Sequence, residues 1–440
     1  MFAYYLSLGF RSLRKAPILT ALMVMSVAFG VGASMTTYAV FRAMSGDPIP
    51  WKSSKLYFPQ LDVWGPKSRA GNQANGELPD TLTYTDAMAL MRHRTDVPQT
   101  ALYPIAPTVY PDDPTKKSVA VGGHAVYGDF FKIADTPFRY GSAWSAQDDQ
   151  NHALLAVINS DLNERLFGGG NSVGKDLRLN DRTYRIVGVL DHWHPQPKFY
   201  DLANSIAFGP ADDVFIPFTA AVDQQMPTNG GFGCGAALPA SGFAGILNSN
   251  CVWVAYLVEL DDASQVASFR TLLQGYLSDQ QKAGRFDWPP NYKLRNLPAW
   301  MDLEQVVPPE TKMSVVVASC FLLVCMVNAI GLLLAKFMRR SGEIGVRRAM
   351  GATRGAIALQ FGVEAATIGI TGGIIGLLLT WGGIAWMHHA LPEDVAALTR
   401  IDVTLLAETL LLAIVSAILA GLYPILRASG VRPAMQLKID

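Results

Sequence analysis

Three groups of residues carry side chains capable of chemistry. Gly169 to Asp176 reads GGNSVGKD and fits the G-x-x-x-x-G-K spacing of a loop that cradles phosphates. The next position is Asp176, where such a loop needs Ser or Thr to hold magnesium, and the patterning puts a helix before the motif and a strand after it. Nucleotide binding is therefore not expected, and the chain is expected to carry no ATPase of its own. His192 and His194 flank Trp193 in DHWHP beside Asp191, spaced to share one face of a strand end. Two His and a carboxylate can bind zinc, but no fourth ligand lies nearby in sequence, so a solvent-facing loop is expected and no metal is assigned. No Ser-His-Asp arrangement, carboxylate pair or dinucleotide fingerprint is present, and no catalytic residue is assigned.

The third group is the cysteines. Cys234 and Cys251 bound a Gly-rich stretch, GGFGCGAALPASGFAGILNSNC, that has little else to fix it. An oxidising compartment would let them pair, and closing such a loop stabilises by about 3 kcal/mol. Two free buried thiols are the alternative. Cys320 and Cys325 lie in an apolar helix, where ordinary packing is expected.

The most charged stretch is KFMRRSGEIGVRRAMGATR, residues 336 to 354, with Lys336, Arg339, Arg340, Arg347, Arg348 and Arg354 against the single acid Glu343. It separates two apolar segments, and a basic excess in a short loop between spans places that loop in the cytoplasm. Helix spacing puts Ile344, Arg347, Arg348 and Gly351 along one side, with Ile344 and Met350 able to pack and the arginines able to reach a partner. Glu343 and Arg347 form an i, i+4 pair in the favourable order. A merely solvated loop is the other reading.

These groups hang on a membrane framework. Half the residues are apolar and 16% are charged, below the roughly 25% of soluble domains, and the net charge is zero, which argues against nucleic acid as a partner. The apolar residues collect in four runs, predicting transmembrane helices over 17–43, 312–337, 361–388 and 403–426. Residues 1–16, with Arg11, Arg14 and Lys15 among apolar side chains, read as an amphipathic helix on the cytoplasmic surface, against membrane lipid. The basic loop is drawn at 338–360, a short outer loop at 389–402 and a cytoplasmic tail at 427–440, so both termini are cytoplasmic. Gly30 with Ser34, and Gly372 with Gly376, are small-xxx-small pairs that allow close helix packing. Glu408 is taken as the only acid inside a span, placed near its outer end where it reaches the interface.

Residues 44–311 hold most of the Pro, Asn and Asp and no spanning run, so they form an inserted domain outside the membrane. KLYFPQLDVW and RTYRIVGVL alternate as strands, TYTDAMALMRHR and SDLNERLFG as helices, the latter capped by Ser160 or Asp161 and ended by Gly168. Asn180 and Asp181 supply a hairpin turn. The fold class expected is an integral membrane protein: four transmembrane α-helices plus a large α+β extracytoplasmic domain of two subdomains between the first and second spans.

RRSGEIGVRRAMGATRGAIALQFGVEA resembles the cytoplasmic loop of MacB/FtsX-like ABC transporter permeases, and GDFFKIADTPFRYGSAWSAQDD with LLAVINSDLNERLFGGGNSVGKDLRLNDRTYRIVGVLD is similar to their periplasmic domain. In that family a coupling helix docks on an ABC ATPase. The resemblance assigns this role to Glu343, Ile344, Gly345, Val346, Arg347, Arg348, Ala349, Met350, Gly351 and Ala352. It implies an interrupted subdomain, 44–120 with 252–311, holding a contiguous one, 121–251. It further implies a bacterial inner-membrane permease that couples ATP hydrolysis, with ATP and magnesium on a separate ATPase in two copies, to motion of a periplasmic domain. Homodimer and heterodimer both fit, as do a periplasmic adaptor and an outer-membrane channel. Efflux from the periplasm is the function expected. Lipoprotein extraction and control of a cell-wall hydrolase use the same architecture. A receptor without transport is a rival from another class, predicting no ATPase partner and a cytoplasmic signalling domain larger than these short segments.

Overall fold

The computed structural model describes residues 16–67, 77–93, 96–111, 117–390 and 403–429. Of the segments named above, 1–15, 391–402 and 430–440 lie outside the described residues. The chain divides into a helical unit from its two ends and the inserted unit Gly46–Val306. The helices used below are α1 (Pro17–Ser45), then α2 (Tyr84–His93), α3 (Ser160–Phe167) and α4 (Ala263–Lys282) of the inserted unit, then α5 (Pro309–Met338), α6 (Ser341–Ala349), α7 (Arg354–Ala390) and α8 (Val403–Ser429).

Among the described residues, α1, α5, α7 and α8 are long and apolar enough to cross a membrane. In lipid, apolar side chains gain nothing by leaving their surroundings, so close packing through small residues must hold helices together. α7 supplies this on two sides. Gly372 lies against Val24 and Val27 of α1 and Gly376 against Ala28 and Val31, whereas Gly369 and Gly373 lie against Ala413 and Ala417 of α8. A Cβ at Gly372 would stand 3.0 Å from that of Val27. Gly30 and Ser34 serve a different neighbour. Gly30 abuts Cys325 and Leu322 of α5, and the Ser34 hydroxyl donates to the Ala318 carbonyl at 2.9 Å.

The helices run past the expected span limits. α7 begins at Arg354, so the segment drawn as a loop to 360 is a nine-residue helix, a tight turn and the first turns of α7. Glu364 therefore sits within a long apolar helix and is 1% exposed, correcting the reading of Glu408 as the only such acid. Counting uncharged runs stops at a charge, whereas a helix continues through one that finds a partner. Glu408 itself faces Arg42 of α1 at 3.6 Å, both about two-fifths exposed.

The inserted unit is an α+β fold whose strands are β1 (Leu56–Leu61), β2 (Leu82–Thr83), β3 (Gln99–Ile105), β4 (Thr108–Tyr110), β5 (Val119–Ala120), β6 (Gly123–Val126), β7 (Phe138–Gly141), β8 (Leu155–Ile158), β9 (Asp176–Leu179), β10 (Arg182–Leu190), β11 (Val214–Pro217), β12 (Gly233–Cys234), β13 (Cys251–Glu259) and β14 (Tyr292–Asn296). They form one path, β14-β1-β13-β3-β6-β11-β8-β10-β9-β4-β5, with β2 and β12 on β13 and β7 on β10. All nine residues of β13 are buried, which its run of apolar side chains requires of a central strand. Its Trp253 meets Tyr103 edge-on at 4.9 Å, and Tyr103 meets Phe218 at 5.2 Å.

β4, which falls in the segment drawn with the first subdomain, pairs with β9, Val109 aligning with Leu179. The cap of α3 is Asn159, whose side chain accepts from the Leu162 amide at 2.7 Å, rather than Ser160 or Asp161. Gly168 ends α3 in the left-handed region, and Asn180 takes φ 52° in the β9–β10 hairpin.

Candidate functional site

The sequence from Met338 to Ala356 folds by local rules into a short helix between two long ones. Glu343 lies in the first turn of α6 and Arg347 and Arg348 in its last, each complementing the helix dipole. The end is fixed by a left-handed Gly351 at φ 98°. The Ala352 amide donates to the Arg347 carbonyl at 3.0 Å and the Gly351 amide to Arg348 at 3.1 Å, the paired bonds of a Schellman cap. Thr353 then caps α7, its hydroxyl accepting from the Ala356 amide at 3.2 Å. The tripeptide Gly351, Ala352, Thr353 is thus a helix stop and a helix start back to back.

Side chains divide α6 into two faces. Ile344 and Gly345 are buried, Ile344 in a core with Phe337, Ile357 and Phe361, where the Phe337 and Phe361 rings stand 4.2 Å apart. Val346, Ala349 and Met350 face out, with Val346 half exposed and Met350 76% exposed. Met350 therefore does not pack within the chain as expected: it follows Ile344 by six residues, more than one and a half turns, which carries it to the opposite face. Arg347, 38% exposed, is also held within the chain. Its guanidinium donates to Glu343 at 2.7 Å and to Gln360 of α7 at 2.9 Å.

Behind this face lies a buried charge network that sequence reading missed. Lys336, in the last turn of α5, meets Glu364 of α7 at 2.6 Å, and both side chains are 3% exposed or less. Lys336 also donates to Thr20 of α1 at 3.3 Å. The other Glu364 oxygen lies 3.4 Å from Arg340, whose guanidinium also grips Glu343 at 3.1 Å. The overlooked signal was two lone charges of opposite sign at the margins of successive spans.

Residues 20–276 match the MacB-like periplasmic core domain, and residues 315–433 the FtsX-like permease C-terminal domain. The chain belongs to the MacB/FtsX-like permease family. Over 314 residues this permease is 23% identical to the macrolide export ATP-binding/permease protein MacB of Bdellovibrio bacteriovorus, covering 70% of the chain and 42% of that protein. Over 372 residues it is 24% identical to the pyoverdine export ATP-binding/permease protein PvdT of Pseudomonas aeruginosa, covering 82% and 48%. The chain spans about half the length of the curated relatives it matches. The crystal structure of the periplasmic region of MacB from Actinobacillus actinomycetemcomitans aligns with 58% of this chain and 94% of its own at 12% identity and a TM-score of 0.36. The matches, with the four apolar helices, make this chain a multi-pass membrane protein of that family, with a MacB-like α+β domain between α1 and α5.

The remaining candidates of the permease lie in the inserted domain. Cys234 and Cys251, opposite one another on β12 and β13, are joined by a disulfide. His192 and His194 contact different partners, the Ser160 hydroxyl and the Gly209 carbonyl, and Trp193 between them stacks on Tyr200. Residues 169–176 connect α3 to β9, in the order helix, loop, strand. Sequence reading also missed a buried cluster around His124. Its ring lies 3.0 Å from Asp201 and 2.9 Å from Asp212, and Asp212 is further held by Lys198 at 2.9 Å and Tyr200 at 2.5 Å. Burial opposes the charge on His124, but the two carboxylates outweigh it and raise its pKa to about 9. The two acids and two bases thus balance, as a buried cluster must.

Proposed function

We propose that this chain is the permease subunit of a MacB-like ABC transporter, working as a dimer with a separate ABC ATPase. α6 is its docking element. ATP and magnesium bind on the ATPase, whose closure moves Glu343 to Ala352, and the four spans carry that motion to the inserted domain on the periplasmic side of the inner membrane. Work done there expels cargo from the periplasm by mechanotransmission, through a periplasmic adaptor and an outer-membrane channel. The relatives named for macrolide and pyoverdine export make small-molecule efflux the reading to test first.

The observation that carries this is the division of α6. A nine-residue helix between two spans buries Ile344 and Gly345 yet leaves Val346, and Met350 at its C-cap, exposed. An apolar pair of that kind on a rigid base has the character of a protein contact. Arg347 holds Glu343 and Gln360, so the contact is assigned first to Val346 and Met350. The test is co-purification of the tagged chain from native membranes, with ATP hydrolysis assayed on the eluate. Wild type should bring down an ABC ATPase that Val346→Glu/Met350→Glu loses, while the variant still inserts. Recovery of wild-type chain without any ATPase would overturn the reading.

A further inference from the structure

We infer that Glu364, with Lys336, is a positioning residue for α6: the buried pair sets the pose of the coupling helix through Arg340. This inference rests on the function proposed above. Four observations carry it. Lys336 and Glu364 are almost fully buried, so neither charge is there for solubility. Glu364 holds Lys336 with one oxygen and Arg340 with the other, and Arg340 is the residue that immediately precedes α6. Arg340 passes the connection to Glu343, and Glu343 to Arg347, on successive turns of α6. Lys336 also reaches Thr20, so α1, α5 and α7 all converge where α6 is anchored.

The energetics separate positioning from mere stability. A buried ion pair is weak evidence for stability, because apolar residues of similar volume often serve as well. Ionisable groups kept within apolar helices are instead functional candidates. The pocket of Ile344, Ile357 and Phe361 holds α6 by non-directional contacts, which fix its depth but not its rotation. The charge-assisted bonds from Glu364 to Arg340 and onward to Glu343 are directional and fix the start of the helix, as the Arg347–Gln360 bond fixes its last turn. A coupling helix free to rotate would still touch an ATPase through Val346 and Met350, yet would transmit little of its motion.

The test uses the full chain with Cys320 and Cys325 replaced by Ala, carrying a reporter cysteine at Ile344 or at Met350. Maleimide labelling is compared between the parent, Lys336→Met/Glu364→Leu and the single Glu364→Gln. Positioning predicts that the double variant accumulates and melts like the parent, whereas Glu364→Gln, which leaves the buried Lys336 without its counter-ion, melts lower; in both, position 344 labels about tenfold faster while position 350 is unchanged, the mark of local opening. Unchanged labelling at 344 in either folded variant would overturn the inference, and so would a general loss of accumulation by both, which makes the pair a folding requirement. A second arm measures ATP turnover of the complexes purified with the native ATPase. Retained ATPase with turnover reduced about tenfold is expected, since a factor of ten is a modest loss of coupling free energy. Wild-type turnover in the double variant would refute the inference. Absence of ATPase from the parent would instead refute the function it rests on, leaving the labelling result to stand.

Discussion

The disulfide offers a prediction whose size follows from chain statistics. Cys234 and Cys251 are 17 residues apart, and the segment between them holds little regular structure beyond the short helix Gly242–Leu247. Cross-linking a loop of that length removes unfolded-state entropy equivalent to about 3 kcal/mol at 25 °C. The inserted unit, Gly46–Val306, has about 260 residues, and at about 2.1 cal/mol/K per residue its unfolding entropy is about 0.5 kcal/mol/K. Reduction, or Cys234→Ala/Cys251→Ala, should therefore lower its midpoint by about 6 °C. Two reporters lie close by. Trp64 donates its indole N–H to the Asn250 carbonyl at 2.9 Å, and Trp253 is buried on β13 two residues from Cys251. Tryptophan fluorescence of the detergent-solubilised chain during a thermal ramp, with and without reductant, reads the shift. Midpoints agreeing within about 1 °C would refute the loop-entropy argument, whereas a fall beyond about 12 °C would mean that native packing, not the unfolded chain, is what the bond controls.

Asp86 is fully buried and takes hydrogen bonds from Thr83, Tyr276 and both ends of the Arg285 guanidinium, tying α2 to α4. Asp86→Ala leaves Arg285 without its counter-ion and should cost about 3–5 kcal/mol, read as a fall of about 6–10 °C in the same fluorescence midpoint; a change below about 1 kcal/mol would contradict the assignment. Gly376→Leu puts a side chain where Ala28 and Val31 of α1 approach within 3.5 Å, and should separate α1 from α7, read as reduced accumulation in membranes, while Gly382→Leu, at an open position, should not. Burial, with Asp80 and Asp201 nearby, pushes Glu304 up to about 8, and burial beside Glu77 brings Asp80 up to about 6. A carboxyl whose folded pKa is raised binds its proton more tightly in the folded state, so its contribution is complete below the unfolded value and is lost as pH rises through the folded one. The inserted domain should thus be less stable at pH 9 than at pH 5, and Glu304→Gln should flatten that slope; an unchanged slope would refute the role of Glu304.

The membrane framework was legible because the bilayer enforces it. A spanning helix needs about twenty apolar residues, and α1, α5, α7 and α8 each present such a run. The ends were less legible: the third span was drawn from 361, whereas its helix begins at Arg354, and Glu364 inside it was passed over. Whether a charge ends a span depends on a partner, here Lys336, that is near in space and distant in sequence. The same limit hid the cluster of His124, Asp201 and Asp212, spread across nearly ninety positions of the inserted domain. Within α6 the spacing located a helix but did not choose its buried face. Both Ile344 and Met350 are apolar, and only the Phe337 and Phe361 pocket decides for Ile344. The pairing of β4 with β9 was not legible either, because it is set across about seventy residues of intervening chain.

The most direct test of the account is a photo-crosslinker placed at Met350, which is exposed, and as a control at Gly345, which is buried. After illumination of native membranes, the account predicts a covalent adduct from position 350 to a polypeptide that hydrolyses ATP, and none from position 345. Crosslinks from 350 to lipid alone, or equal yields from both positions, would contradict the assignment of α6 as the docking helix.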